Sequence, residues 1–347
     1  MNATVLPAPR VPDSRDAPRL RWGIMGPGWI AGRFTESVQA HTGQVIGAVG
    51  SRSLARSKAF ADAFNIPAAY GSYEELAAAA NIDIIYVCTP HNFHRSAAIL
   101  AIDAGKHVLI EKPIGLNAEQ ARDIAARAKA AGVFASEAMW SFFLPKFDVI
   151  RQVLDAGMLG TVTTVLAEYG EYFGRSHRIF DPALAGGPLL DLGTYPLALI
   201  TEVLGAPERL SALGQTHESG VNAQLSAIMQ FPGGSHAVMN THLHNFTPTT
   251  ATIVGTEATL AIDGPFNMPG SFEIRFPDGP LLRYTEPSGA HFDGLHYEAA
   301  AVSRAITSGQ LETRQRPLAS SIRTMEVADE IRRQTGIGFP DEDRVPA

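Results

Sequence analysis

The sequence predicts an α/β half built on a doubly wound parallel sheet, followed by an α+β half with a large, mostly antiparallel open sheet. Three observations lead there. Short continuous apolar runs alternate with helical stretches from about residue 20 to 140, the pattern of a parallel sheet covered on both faces. Beyond that point strand-like runs follow one another with turn signals and no helices between them, as at Pro232-Gly233-Gly234 and Pro277-Asp278-Gly279. The length of 347 residues, with 45% hydrophobic and 18% charged, suits about two folded domains.

The elements follow in order. Residues 1–18 hold Pro7, Pro9, Pro12 and Pro18 among charged residues, which suits neither helix nor central strand, so a flexible arm is expected. An ordered arm lying over a partner subunit or a ligand is the other reading. Residues 19–140 then form the expected nucleotide-binding domain. Its strands are read at Leu20 to Met25, Gln44 to Gly50, Asp83 to Cys88, His107 to Ile110 and Val133 to Ser136. Its helices are read at 34–41, 54–64, 93–104 and 118–131. Residues 141–347 form the second domain, with strands from Thr161 onward and two closing helices at 295–307 and 318–335.

Gly26-Pro27-Gly28-Trp29-Ile30-Ala31 sits between the first strand and the first helix. This is the dinucleotide fingerprint of a Rossmann domain, with alanine at the third small position. Gly26 suits the tight turn, Gly28 lets backbone approach a pyrophosphate, and Ala31 allows close packing of a helix whose N-terminus favours an anion. An NAD site calls for an acidic residue about 20 positions on. Ser51-Arg52-Ser53 stands there instead, with no Asp or Glu between Glu36 and Asp62. Arg52 can pair with a 2′-phosphate and the serines can donate to it, so NADP is expected over NAD.

Other classes are excluded or unsupported. A net charge of −7 gives no support to a general nucleic-acid surface. The single cysteine, Cys88, rules out an intrachain disulfide framework and a Cys-based zinc cluster. No apolar run approaches the ~20 residues of a membrane span, and the first residues do not read as a secretory signal. A soluble, cytoplasmic protein is the expectation. His242 and His244 would share one face of a strand, but without a positioned carboxylate they make no metal site, and none is expected.

Oxidising an alcohol needs a proton acceptor within hydrogen-bond reach of the hydroxyl. Tyr195 can serve if a nearby cation lowers its pKa from about 10. Lys112, at the carboxyl end of a parallel strand, stands where open α/β sheets place ligands and could be that cation. Asp191 precedes Tyr195 by four residues, so on one helix the two would share a face. Taken singly, each has an ordinary reading: a turn lysine, a core tyrosine, a helix-capping aspartate.

Three further segments join the glycine-rich turn: Thr89-Pro90-His91-Asn92-Phe93-His94, Glu111-Lys112-Pro113, and Gly186 to Pro196 (GGPLLDLGTYP). In this order the chain resembles the glucose-fructose oxidoreductase / inositol dehydrogenase / rhizopine catabolism family, from about residue 20 to 335. Glu137-Ala138-Met139-Trp140, with Tyr195 ending its motif, resembles the dimeric dihydrodiol dehydrogenase and NADP-dependent D-xylose dehydrogenase branch. The resemblance implies Lys112 and Tyr195 as the acid/base pair, which of them takes the proton being open, with Asp191 orienting. It implies Thr89, Pro90, His94, Glu111, Lys112 and Trp140 around the cofactor. Lys112, Trp140, Arg178, Asp191 and Tyr195 would surround the substrate. His94 reads equally as a helix-end residue, and Arg178 as a surface one. The branch commonly has arginine two residues after the tryptophan, where this chain has Phe142, which suggests a more apolar pocket.

The expected activity is hydride transfer between NADP and a hydroxyl or carbonyl carbon of a sugar, polyol or vicinal diol. Two rivals are an enzyme that keeps its cofactor through a closed cycle and a catalytically silent NADP sensor. A homodimer, or a dimer of dimers, is implied by the resemblance.

Overall fold

Six parallel strands form the first sheet of the protein, whose computed structural model describes residues 5–340 and 342. In chain order these elements are β1 (Arg21–Met25), α1 (Trp29–His41), β2 (Val45–Gly50), α2 (Leu54–Phe64), β3 (Ala68–Tyr70) and α3 (Tyr73–Ala77). There follow β4 (Ile84–Val87), α4 (His94–Asp103), β5 (His107–Glu111), α5 (Ala118–Ala131) and β6 (Ala135–Ala138). The strand order is β3-β2-β1-β4-β5-β6. Every residue of β4 is buried, and so are Trp22 to Met25 of β1, as a sheet covered on both faces requires. The order reverses between β1 and β4, the switch point beside which such sheets bind ligands. β3 is an element the sequence pattern does not announce, because it is three half-buried residues with no continuous apolar run, and the helix that the Ala-rich run at 77–80 suggests lies earlier, ending at Ala77.

The second sheet has eight strands in the order β14-β13-β12-β11-β7-β10-β9-β8. Its elements are α6 (Pro145–Asp155), β7 (Val162–Gly170), α7 (Pro188–Asp191), α8 (Thr194–Leu204), β8 (Arg209–Thr216), β9 (Asn222–Gln230), β10 (His236–His242), β11 (Ala251–Gly255), β12 (Thr259–Ile262), β13 (Phe272–Arg275) and β14 (Leu281–Tyr284). All pairs are antiparallel except β7 with β10. One face carries Val165, Ala167, Ala237, Met239, Ala227 and Met229, all buried, with the apolar α8 packed on it. The opposite face bears Leu166, Val238 and Ile228 side by side in register, exposed to 43%, 37% and 60%.

The chain forms two compact units. One holds the residues up to Val11, Leu144–Gly289 and Ile322 onward; the other holds Pro12–Phe143 and Ala290–Ser321. Thus α9 (Leu295–Thr307) clusters with the parallel sheet although it lies far along the chain. Ser37 of α1 donates to the Phe292 carbonyl (2.5 Å) and accepts from the His296 N–H (3.1 Å), which seats α9 on α1. The last helix, α10 (Leu318–Thr335), begins in this unit and continues into the other. Within 5–18, expected as an arm, several residues are bonded to the rest of their unit. The Arg10 N–H donates to Asp148 (2.7 Å) and Gln152 donates to the Ala8 carbonyl (2.9 Å) in the unit of the antiparallel sheet. In the other unit Asp13 caps the turn Ser14–Asp16, and Arg304 donates to the Asp13 carbonyl (2.5 Å). Among the described residues no single helix is long and apolar enough to cross a membrane, and no group of three metal-ligating side chains converges.

Candidate active site

The glycine-rich turn is built as the fingerprint requires. Gly26 has φ +101°, and a Cβ there would meet the Cys88 carbonyl oxygen and the Thr89 nitrogen at 3.0 Å, so the protein itself demands glycine. Gly28 differs: a Cβ would meet only the Gly26 carbonyl, at 4.0 Å. The protein leaves space there, which suits the approach of a pyrophosphate. Ala31 is fully buried behind it. Trp29 is 67% exposed at the start of α1, and Ile30 is half-buried. Thr89, at the end of β4, is buried with a hydroxyl that has no protein partner. An orphaned hydroxyl and an open glycine at the β1/β4 switch point fit a dinucleotide.

At the end of β2 the two expected serines turn inward. The Ser51 hydroxyl donates to the Ser53 carbonyl (2.8 Å), and Ser53 caps α2 by accepting the Arg56 N–H (3.4 Å). Arg52 is exposed over the Phe93 ring at 5.2 Å. Arg56, one turn on, is exposed too and donates to the Pro27 carbonyl of the glycine-rich turn at 3.4 Å. Two exposed guanidinium groups therefore flank the glycine-rich turn at the end of β2. Arg56 lies in the first turn of α2, four residues after Arg52, which itself precedes the helix.

The ends of β4 and β5 are tied together by His94. Its Nδ1 lies 2.7 Å from the Pro113 carbonyl and its Nε2 2.8 Å from the Thr89 carbonyl, and the ring is buried. His94 is a brace between two loops, with both nitrogens engaged. Pro90, half-buried, follows Thr89. Glu111 is buried; it accepts a short hydrogen bond from the Tyr86 hydroxyl and one from the Lys112 N–H (3.1 Å). That fixes the strand end from which the half-buried Lys112 projects.

Trp140 is buried and stacks on His291, centroids 5.0 Å apart. Trp29 meets the same imidazole edge-on, also at 5.0 Å. Burial first, then the charges of Lys112 and Arg33, lower the His291 pKa to about 4, so the ring is neutral. His291 lies in a short turn with no motif, and the sequence offered no signal for it. Phe142 is buried, and over its ring lies Arg316 (5.5 Å), itself fully buried and paired with Glu137 at 2.8 Å. Glu137 also accepts from Ser321 (2.7 Å) and from the Ile114 N–H (3.0 Å). Phe142 is thus core beneath a buried cation.

The other unit holds the remaining candidates. Gly187 has φ +104°, and a Cβ would strike the Asn222 amide at 2.1 Å; Asn222 in turn accepts the Leu189 N–H (3.3 Å). The glycines of the GGP segment thus serve packing. α7 ends at Asp191 and α8 begins at Thr194, and the segment Pro182–Asp191 is bent by 48° against α8 across the break. Asp191 and Tyr195 are therefore not on one helix, since Leu192-Gly193 interrupts it. Asp191 is buried and paired with Arg178, whose Nη2 donates to both carboxylate oxygens (3.3 and 3.2 Å). The Arg178 side chain is itself 41% exposed. The Tyr195 ring, buried, lies 5.8 Å from that of Tyr169. Tyr169 donates to Glu171 (3.1 Å), and burial, followed by the Glu171 charge, holds its phenol well above the ordinary value. Tyr169 is the neighbour that sequence reasoning missed.

A parallel sheet with this cradle, joined to this antiparallel sheet, defines a dinucleotide-binding oxidoreductase. The chain belongs to the oxidoreductase family with the NAD-binding Rossmann fold, matched over residues 20–139, and to its GFO/IDH/MocA C-terminal domain over residues 147–261. It is 38% identical to the trans-1,2-dihydrobenzene-1,2-diol dehydrogenase of Mus musculus, covering 94% of this chain and 99% of that one. Among solved structures it shares its fold with levoglucosan dehydrogenase in complex with NADH and levoglucosan (TM-score 0.83, 16% identity, 92% and 98% covered). The 3-ketoreductase KijD10 of Actinomadura kijaniata, with NADP bound, matches too (TM-score 0.78, 24% identity, 92% and 98% covered).

Proposed function

We propose that the protein is an NADP-dependent dehydrogenase of a vicinal diol, sugar or polyol. The observation that carries the reading is the near end-to-end similarity to trans-1,2-dihydrobenzene-1,2-diol dehydrogenases. The residues of the site give it chemistry. Gly26, Gly28 and the N-terminus of α1 receive the pyrophosphate. Arg52 and Arg56 pair with the 2′-phosphate, which favours NADP over NAD. A bound nicotinamide would supply the acceptor for the hydride of the carbinol carbon. Tyr195 and Lys112 are the acid/base pair that moves the proton of the substrate hydroxyl. Asp191, kept in place by Arg178, orients that hydroxyl. Trp140 and His291 supply an uncharged aromatic wall beside Lys112.

The test is NADPH absorbance on mixing the protein with NADP and a panel of cyclic vicinal diols, aldoses and polyols. Turnover that disappears in Tyr195→Phe supports the reading. Cofactor that survives desalting, with hydride returned to a second substrate, favours the closed-cycle enzyme. Tight NADP binding without turnover on any panel member favours a sensor.

The exposed row Leu166, Val238 and Ile228 supports a homodimer through the open face of the antiparallel sheet. Light scattering is expected to give twice the 37.1 kDa chain mass, and Val238→Lys to reduce it to one.

A further inference from the structure

Glu298, on α9, is fully buried, and neither carboxylate oxygen has a hydrogen-bond partner in the protein. Its neighbours are themselves titratable. Glu111 on β5 is near enough for its charge to act on Glu298, and Tyr86 on β4 feels the charges of both. Cys88, at the end of β4, is the fourth group, its thiol donating to the Gly26 carbonyl at 3.2 Å. Tyr86 is stacked on Phe34 of α1 at 4.0 Å, which closes the cluster from the helix side. Among the described residues the charge acting on Glu298 is that of Glu111.

Two carboxylates in one dry site do not both ionise. The hydrogen bonds decide which one does. Glu111 accepts from the Tyr86 hydroxyl and from the Lys112 N–H, and both donors favour its anion. Glu298 has no donor, and burial, then the Glu111 charge, raises its pKa well above the ordinary value. We propose that Glu298 is a positioning residue for Lys112: as the uncharged member of the pair, it lets Glu111 remain the anion that grips the Lys112 backbone. Ionising Glu298 sets two carboxylates against each other and loosens the strand end that carries Lys112.

Two measurements on the full chain need no turnover. Infrared spectra of the wild type at pH 7 are expected to show the carbonyl stretch of a protonated carboxylic acid that is lost in Glu298→Gln. A spectrum without that band, or one unchanged by the substitution, overturns the proposal. The second is melting temperature against pH. A raised folded-state pKa means that the folded chain holds a proton the unfolded chain releases, so stability is lost as pH rises from the ordinary carboxyl range through the folded value. Glu298→Gln removes this loss, and its melting temperature gains on the wild type as pH rises; parallel curves overturn the proposal. If Glu298→Gln does not fold, Glu111→Gln serves instead, because removal of the repelling charge shifts titration of the acid band to lower pH, and an unshifted band counts against the pair.

The kinetic arm rests on the dehydrogenase reading. The alkaline limb of kcat/KM is expected to move up by about one pH unit in Glu298→Gln, and identical profiles overturn the positioning role. Absence of turnover in both proteins sinks the dehydrogenase reading instead, while the infrared and melting results still decide the carboxyl pair.

Discussion

The two units place their candidate residues by opposite means. Around the parallel sheet, Gly26, Thr89 and Lys112 sit at consecutive strand ends, each within a few residues of the strand that positions it. In the other unit Asp191 and Tyr195 flank a helix break, and what fixes Asp191 is Arg178, thirteen residues away. Strand ends of a hydrogen-bonded sheet are positioned by the backbone, so side-chain identity there is free to serve chemistry. A broken helix has no such support and needs side chains such as Arg178 and Asn222 to hold it. The lesson is that a motif at a strand end reads as function more directly than one at a helix break.

The largest expected effect tests both halves at once. Tyr195→Phe and Lys112→Met should each lower kcat by about 10²–10⁴-fold, the usual worth of a proton-transfer group. Steady-state kinetics with NADP and a diol checks it, and a much smaller loss in Lys112→Met would mean that the strand-end group only binds. Next, Arg316→Met leaves Glu137 buried without its cation and should cost about 3–5 kcal/mol in urea unfolding. Asp191→Asn, which keeps shape beside a half-exposed arginine, should cost far less. A reversal of that order would break the contrast between the units.

A third effect depends on pH. His291 has its pKa lowered from 6.5 to about 4 in the folded chain. The unfolded chain takes up its proton first as pH falls, so the stability His291 contributes is complete above pH 6.5 and lost on the way down to 4. The loss is up to about 3 kcal/mol. His291→Phe should flatten the melting temperature between those values, while its aromatic ring keeps the contact with Trp140. The smallest effect is on cofactor choice: Arg56→Ala should weaken NADP binding by about tenfold and leave NAD binding unchanged, since an exposed charged hydrogen bond contributes little more than 1 kcal/mol. Isothermal titration with both cofactors measures it.

Much of this protein follows from its sequence alone. Runs such as Ile84 to Val87 can only be buried strands, and Gly26 and Gly28 in a strand-to-helix turn give the dinucleotide cradle, because these are local consequences of backbone geometry and apolar period. What only the tertiary structure decides is how side chains distant in sequence meet. The periodicity that puts Asp191 and Tyr195 on one face assumes an unbroken helix, and Leu192-Gly193 interrupts it. His94 is the helix-end residue that the sequence suggests, the first of α4, and only the fold makes it also a brace, since its two carbonyl partners come from different strand ends. Phe142 stands where the branch commonly has arginine, and only the fold brings the cation of Arg316, paired with Glu137, over its buried ring. α9 crosses back to the parallel sheet for a similar reason: Ser37 and the Phe292 carbonyl, 255 residues apart, satisfy each other, and no local pattern encodes a hydrogen bond across that distance.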